Sequence, residues 1–427
     1  MAERRNAAER VAGALRMVLG VDELPVRLRV WDGSVAGPTG APTVVVRSRR
    51  ALRRLVWAPG ELGLARTYVA GELDVEGDLA TVFAALSSAG RLAPGDESAG
   101  PSLRERLDLL RTAARLGVLG PNPAPPAEEV RLTGAGDRHS RTRDAVAVSH
   151  HYDISNDFYS LVLGPSMVYS CAVWDDEATG LDAAQEAKLD LVCRKLGLHA
   201  GVRLLDVGCG WGSMAIHAAT HYDVEVVGIT LSAQQAALAR KRVAEAGLTD
   251  RVDIRVQDYR EVTDGPFDAI SSIGMAEHVG RAKLPVYVAQ LTELLRPGGR
   301  LLNHAIAWNA GETTWDPDSF ISRYVFPDGE LISLGDMVAV LESTGLEVLD
   351  VEALRRHYAL TLRAWVQNLE EHWDDAVAAT SEGRARVWRL YMTASALAFD
   401  GGAMGVNQVL LQRSGGDPPP LRRTAWV

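Results

Sequence analysis

At 427 residues, 47% of them apolar, the chain exceeds what one hydrophobic core usually supports and carries enough apolar side chains to fill two. A formal charge of −10 excludes a general nucleic-acid binder. Three cysteines (Cys171, Cys193, Cys209) with no paired framework and no metal-ligand spacing exclude a disulfide or metal scaffold and suit a reducing cytoplasm. Arg16 interrupts Val11–Val21, so no leader-type apolar segment is expected, and no later run approaches the roughly eighteen apolar residues of a membrane span. A soluble or peripheral protein is the expectation. The charge is uneven, because eleven arginines against five acids give residues 1–60 a net +6 and leave −16 for the rest.

In chain order, the first ninety residues mix a basic helix, apolar strands at Val26–Trp31 and Thr43–Arg47, and a helix over Arg49–Trp57, which predicts a small α+β unit. From Arg91 to Asp144 the composition turns to Pro, Gly, Ser and charge, as in Pro121-Asn122-Pro123-Ala124-Pro125-Pro126, with one helix at Ser102–Leu116. An alternation follows: helix Leu181–Leu196, strand Arg203–Val207, helix Gly212–Ala219, strand Glu225–Ile229, helix Ala233–Ala246, strands Val252–Val256 and Phe267–Ser271, helix Lys283–Leu295 and strand Gly299–Ala305. Such an order builds a doubly wound, mostly parallel α/β sheet.

Residues 306–345 break the rhythm with Trp, Phe and Tyr, where a substrate cover beside the sheet would sit. Helices near Thr361–Thr380 and Ala385–Phe399 and a strand at Val406–Gln412 complete the pattern. The expected domains are therefore 1–92 (α+β, membrane-contacting), 93–145 (linker with one helix), 146–413 (catalytic) and 414–427 (mobile tail with Pro418-Pro419-Pro420).

Residues 203–212, Arg-Leu-Leu-Asp-Val-Gly-Cys-Gly-Trp-Gly, read as a buried strand entering a glycine-rich turn. In an open α/β sheet the ligand lies beyond the carboxyl ends of the strands, and Gly208, Gly210 and Gly212 remove side chains where backbone must approach it. Asp206 is placed either to accept from a cofactor ammonium or to cap the next helix. The spacing differs from G-x-G-x-x-G, and Gly228-Ile229-Thr230-Leu231-Ser232 puts no acid at the end of the second strand, which disfavours a nicotinamide cofactor. S-adenosylmethionine and a Rossmann-like methyltransferase fold are the better expectation.

Further segments occur in a recognisable order: His151-Tyr152-Asp153 with Asn156-Asp157-Phe158, Met167-Val168-Tyr169-Ser170-Cys171-Ala172, Leu205–Gly212, Gly228–Ser232, Gln257-Asp258-Tyr259-Arg260, Gly274-Met275-Ala276-Glu277-His278-Val279-Gly280 and His304-Ala305-Ile306. From about His150 to about Phe399 the chain resembles the cyclopropane-fatty-acyl-phospholipid synthases and their mycolic acid relatives, class I methyltransferases acting on unsaturated acyl chains. The resemblance implies that Tyr169, Ser170, Gly208 and Gly210 meet the methionine end of S-adenosylmethionine, that Thr230, Leu231 and Gln235 hold the ribose and neighbouring atoms, and that Asp258 and Tyr259 lie near the adenine. It further implies a bicarbonate ion held by Cys171, Glu277, His278 or its backbone, His304, Ile306 and Tyr358, and a homodimer.

Taken singly these residues have plainer readings. Cys171 and Cys209 suit an ordinary core, Glu277-His278 a helix terminus, His304 a satisfied core position, and Tyr169 and Tyr358 packing aromatics. Their joint order favours the functional reading.

An isolated alkene is a weak nucleophile, so it must be aligned behind the sulfonium methyl and the resulting cation shielded from water. Tyr169, Tyr358 and Phe320 are candidate aromatic faces for that cation. Loss of a proton from the added methyl closes a cyclopropane, the expected product on a phospholipid chain; a prior hydride shift gives an exocyclic methylene instead. Phe399-Asp400-Gly401-Gly402-Ala403-Met404-Gly405 departs from the family's arginine-containing segment, which leaves the two products open. A methyltransferase for a soluble small molecule and a non-catalytic lipid-binding protein are the remaining alternatives. Arg49, Arg50, Arg53 and Arg54, interleaved with Leu52, Leu55 and Trp57, are candidates for an interfacial helix on the anionic inner face of the cell membrane, or for a solvated face packed on its own domain.

Overall fold

The computed structural model describes residues 6–88, 103–130, 139–140, 143–144, 155–308 and 316–426. They fall into two compact units. The first takes Met1–Val130 together with Asp318–Tyr324 and Glu382–Ala394, and the second takes the remainder.

In the first unit, β1 (Arg27–Val30), β2 (Val35–Ala36), β3 (Thr43–Val46) and β4 (Leu73–Glu76) form a sheet in the order β2-β1-β3-β4, with only β1 and β3 parallel. Alternation sends Leu28, Val30, Val44 and Val46 inward. They meet Ala8, Val11 and Ala12 of the Ala7–Leu19 helix, whose start is set by a capping box between Asn6 and Glu9. The Leu103–Leu116 helix, expected within a linker, places Ala113 and Leu116 in this same core, followed by Val118.

The Arg49–Trp57 helix forms over the expected residues, but its arginines are engaged within the unit. Arg54, 5% exposed, donates to both oxygens of Glu72 at 2.9 and 3.3 Å and to the Ala124 carbonyl at 2.6 Å. Arg50 reaches Glu72 at 3.3 Å, Arg53 donates to the Val118 carbonyl at 3.0 Å, and Arg49 lies 5.7 Å from the Trp31 ring centroid. Nine residues make little more than two turns, so a helix this short cannot pack one face and keep every arginine outward. Val56 and Trp57 are the large apolar side chains it exposes, along with Arg49 and Arg50.

The second unit contains β5 (Arg203–Val207), β6 (Glu225–Thr230), β7 (Val252–Val256), β8 (Phe267–Ile273), β9 (Leu295–Trp308), β10 (Leu346–Ala353) and β11 (Met404–Arg413) in the order β10-β11-β9-β8-β5-β6-β7. The β5–β9 ladders are parallel, and β11 runs antiparallel to both β9 and β10. This is the expected doubly wound sheet.

Alternate residues feed opposite layers, as period two requires. Leu204, Val226, Ala269 and Leu302 pack with the Leu181–Leu196, Ser213–Tyr222 and Ala233–Glu245 helices. Leu205, Val227, Ile270 and Leu301 pack with the Leu284–Leu294 and Leu334–Glu342 helices. The chain leaves β5 toward β6 and β7, then returns on the other side of β5 as β8. That reversal opens a crevice at the carboxyl ends of β5 and β8.

Three elements differ from expectation. The Leu334–Glu342 helix and edge strand β10 replace an irregular stretch; β10 buries few side chains, which weakens its apolar pattern. The helix expected over Thr361–Thr380 is two, Arg355–Glu371 and Trp373–Ala379, meeting at His372. The expected mobile tail ends with Trp426 buried in the core and Arg423 paired with Glu352 at 2.9 Å.

Breaking a buried ion pair from one side costs about 3–5 kcal/mol, whereas an exposed pair contributes about 0–1. Arg54→Ala is therefore expected to lower the urea midpoint strongly and Arg50→Ala hardly at all, since the Arg50 side chain is 59% exposed. Equal losses for the two would show that burial of the Arg54–Glu72 pair is unimportant.

Candidate active site

At the end of β5, Gly208, Gly210 and Gly212 adopt φ of +78°, +54° and +82°, the left-handed region that disfavours side chains. Space adds to this at Gly208, where a Cβ would fall 2.4 Å from the Met275 sulfur. The N–H groups of Gly208 and Cys209 both donate to the Ile229 carbonyl at 2.9 Å, tying the turn to the end of β6. Gly210 has no neighbour where its Cβ would be, so its backbone is open to the crevice.

A cavity in the crevice is lined by all ten expected cofactor contacts: Tyr169, Ser170, Asp206, Gly208, Gly210, Thr230, Leu231, Gln235, Asp258 and Tyr259. Thr230 Oγ1 donates to Gln235 Oε1 at 2.8 Å, which leaves the Gln235 amide N–H groups as donors. Asp258 accepts from the backbone N–H of Arg260 at 2.9 Å and from its guanidinium at 2.8 and 2.6 Å, so this carboxylate is held rigidly at the rim. Asp206 accepts from Ser271 Oγ at 2.7 Å through Oδ1, while Oδ2 is buried with no hydrogen-bond partner. Burial raises its pKa to about 6 against the lowering effect of Ser271 and Lys188.

Lys188 is a lining residue that reading the sequence missed. Only 1% exposed, it donates to Ser170 Oγ at 3.0 Å, and burial lowers its pKa to about 8. Gln185, one turn earlier, donates to the Ser170 carbonyl at 2.9 Å. The signal was a polar pair set into a buried helical stripe with Ala184, Leu191 and Val192. Trp211, Met275 and His278 also line the cavity.

Aromatic rings lead away from the turn. Trp211, anchored by its Nε1–H to Asn156 Oδ1 at 2.8 Å, has its centroid 4.6 Å from Tyr159. Tyr159 is 5.8 Å from Tyr169, Tyr169 is 5.3 Å from Trp365, and Tyr358 is 6.0 Å from Trp365 and 4.8 Å from Phe399. Phe320 belongs instead to the first unit, where it packs 5.4 Å from Tyr324 and its N–H donates to Glu61. His151, Tyr152 and Asp153 lie outside the described residues.

The second expected group gathers where β9 and β11 meet. Glu277 Oε1 accepts the Ile306 N–H at 2.8 Å, and Ile306 pairs with Val406 across the ladder. The Val406 carbonyl accepts from Leu354 at 2.8 Å, and the Leu354 carbonyl in turn accepts from Tyr358 N–H at 3.1 Å and the Cys171 thiol at 3.7 Å. His304, two residues before Ile306 on the same strand face, has Nδ1 3.4 Å from Gln408 Nε2. Glu277 Oε2 and His304 Nε2 are both buried, with no hydrogen-bond partner among the described residues.

Burial raises the Glu277 carboxyl to about 7 and lowers His304 to about 3, with the charges of Lys188 and Lys195 adding to the latter. At neutral pH the imidazole is uncharged and the carboxyl is near half-ionised. Burial also pushes the Cys171 thiol far up, so it stays a thiol. A carboxyl and a neutral imidazole that each keep a buried polar atom unpaired among the described residues suit a small polar species chemically, and Cys171 is no activated thiolate nucleophile, but none of Cys171, Glu277, His304, Ile306 and Tyr358 lines the cofactor cavity.

A family model described as mycolic acid cyclopropane synthetase matches residues 139–409. A probable fatty acid methyltransferase of Mycobacterium tuberculosis is 44% identical over 430 residues, covering 96% of this chain and 97% of its own. The cyclopropane-fatty-acyl-phospholipid synthase of Escherichia coli is 36% identical over 312 residues, covering 72% of this chain and 79% of its own. Among solved structures, a mycolic acid cyclopropane synthase complexed with SAH and CTAB superposes with a TM-score of 0.60 at 35% identity, covering 63% of this chain and 98% of that one.

A carboxyl whose folded pKa is raised contributes stability that is complete at low pH and is lost as pH rises through the folded value. Glu277, with a folded value near 7, should therefore make the protein less stable between about pH 5 and pH 8. Melting curves across that range are expected to fall more steeply for the wild type than for Glu277→Gln. Parallel curves would show the carboxyl to be ionised throughout.

Proposed function

The chain belongs to the mycolic acid cyclopropane synthetase family and is an S-adenosylmethionine-dependent methyltransferase, and from that premise we propose that it adds a methylene bridge across the cis double bond of an unsaturated phospholipid acyl chain. The observation that supports this reading is two buried atoms without a hydrogen-bond partner among the described residues, Glu277 Oε2 and His304 Nε2, brought close to the cofactor turn by the β8–β9 ladder and the Glu277–Ile306 hydrogen bond.

When bound, S-adenosylmethionine supplies an electrophilic methyl and bicarbonate supplies a base. The residues present fit bicarbonate, because a neutral imidazole N–H and a protonated carboxyl are both donors for a small oxyanion. Ile306 N–H holds Glu277 in place, and Gln408 orients the His304 ring. Tyr169, Trp365 and Tyr358, which pack against one another, would supply the aromatic faces beside the acyl chain, each able to stabilise a desolvated cation by about 0.5–2 kcal/mol. The alkene's electron pair would take the methyl that the bound cofactor supplies, leaving a thioether and a carbocation that the rings of Tyr169, Trp365 and Tyr358 would shield from water. One methyl proton is then removed, and its C–H electron pair closes the ring on the neighbouring carbon.

A second reading has the same beginning. The 44% identical relative is a probable fatty acid methyltransferase, which favours hydride shift and proton loss to a methylene-branched chain. The Phe399–Gly405 segment, whose Phe399 packs 4.8 Å from Tyr358, lies where the two outcomes would be decided. Access to the acyl chain comes, in this proposal, from peripheral docking on an anionic membrane surface, with Val56 and Trp57 of the first unit entering the headgroup layer.

Incubation with methyl-labelled S-adenosylmethionine and unsaturated phospholipid vesicles, read by proton NMR of the lipid, tests the proposal. Upfield cyclopropane signals are expected. Vinylidene signals would select the second reading, and absence of label from the lipid would overturn both in favour of a soluble substrate or a non-catalytic lipid binder. Glu277→Gln is expected to lower kcat by about 10²–10⁴-fold with little change in KM for S-adenosylmethionine.

A further inference from the structure

Two buried ions of opposite sign line the cofactor cavity without pairing with each other. Lys188, 1% exposed, has one hydrogen bond, to the neutral Ser170 hydroxyl at 3.0 Å, although an ammonium carries three donors. Asp206, 2% exposed, uses Oδ1 to accept from Ser271 and leaves Oδ2 buried without a partner. Both line the same cavity, and no ion pair within 4.0 Å joins them among the described residues. Each ion loses its hydration, and although each feels the other's opposite charge, burial outweighs that attraction and no direct contact joins them among the described residues.

The same burial draws their titrations toward neutrality, Lys188 down to about 8 and Asp206 up to about 6. An arrangement of this kind is complemented by a ligand that brings a carboxylate and an ammonium on adjacent atoms, since each buried ion then gains its opposite.

We propose that Lys188 and Asp206 together read the amino-acid end of the cofactor as a zwitterion, Lys188 with Ser170 donating to the α-carboxylate and Asp206 accepting from the α-ammonium. Lys188 is thereby a specificity residue that selects the intact cofactor over its decarboxylated form. Ser170 places the Lys188 ammonium, because its hydroxyl sits 3.0 Å from Nζ and its carbonyl is fixed by Gln185 at 2.9 Å. The inference rests on the cofactor class and not on the lipid product, so failure of the NMR experiment above would leave it standing.

The test is binding to the whole protein without lipid, by titration calorimetry, of S-adenosylhomocysteine and of the matching thioether whose side chain is 3-aminopropyl and so lacks the carboxylate. The wild type is expected to prefer S-adenosylhomocysteine by roughly tenfold or more. Lys188→Met is expected to weaken S-adenosylhomocysteine by a similar factor while leaving the amine analogue within about threefold, the threshold set by the usual scatter of such comparisons. At pH 8, proton uptake on binding should be seen in buffers of different ionisation enthalpy and should vanish in Lys188→Met. Equal weakening of both ligands would make Lys188 a packing residue and overturn the proposal. So would unchanged S-adenosylhomocysteine affinity with an altered bicarbonate dependence of activity, which would assign Lys188 to the other anion. If Lys188→Met does not fold, equal affinity of the wild type for the two ligands overturns the proposal by itself.

Discussion

At the end of β5 the backbone must turn through left-handed conformations while passing Met275 so closely that Gly208 has no room for a side chain. Because the sheet places β8 beside β5 and β9 beside β8, this corner sets neighbouring loops as well. The β5–β8 register brings Ser271 to Asp206, and the β8–β9 register brings Ile273 to His304. Gly274 then donates to the His304 carbonyl at 2.9 Å, and the chain reaches Glu277, which closes on Ile306. The glycine turn and the buried Glu277 carboxyl are thus joined through two parallel ladders, a rigid connection of a few residues.

Burial does most of the chemical tuning. Asp206 and Glu277 are raised, and Lys188 and His304 lowered, each mainly by loss of water. Four groups of ordinary chemistry become responsive near neutral pH or fixed in the uncharged form. The polar atoms they leave without partners are those that a zwitterionic ligand end and a small oxyanion would satisfy. Structural charges behave differently: Lys195, fully buried, is matched by Asp350 at 3.2 Å and Glu352 at 2.6 Å, and Arg54 by both oxygens of Glu72.

The first unit shows how a local pattern can leave two readings open. Four arginines in a short helix fitted either a row facing anionic lipid or a face packed on its own domain, and three of them bond within the unit while the fourth lies over Trp31. The unit also recruits residues from far along the chain. Arg386 reaches Asp74 at 2.9 Å, and Tyr324 donates to Glu129 at 3.2 Å. A search for contiguous domains has no access to such pairings.

The sequence by itself determined the alternation of strand and helix from Leu181 to Ala305 and the glycine corner, because strand and helix periodicities and the steric demand of a left-handed turn are local properties written in consecutive residues, while the ten expected cofactor contacts, all of which line the cavity, came from the order of motifs that the chain shares with a known family. It left Lys188 unnoticed, since a lysine on a helix is ordinarily solvated and only the packed layer over β5 takes this one out of water. Edge strand β10, the break at His372, the buried tail at Trp426 and the joining of Cys171 to Glu277 through Leu354, Val406 and Ile306 were likewise decided by the tertiary structure. Each depends on contacts between residues distant in the chain, and only the folded sheet brings those residues together.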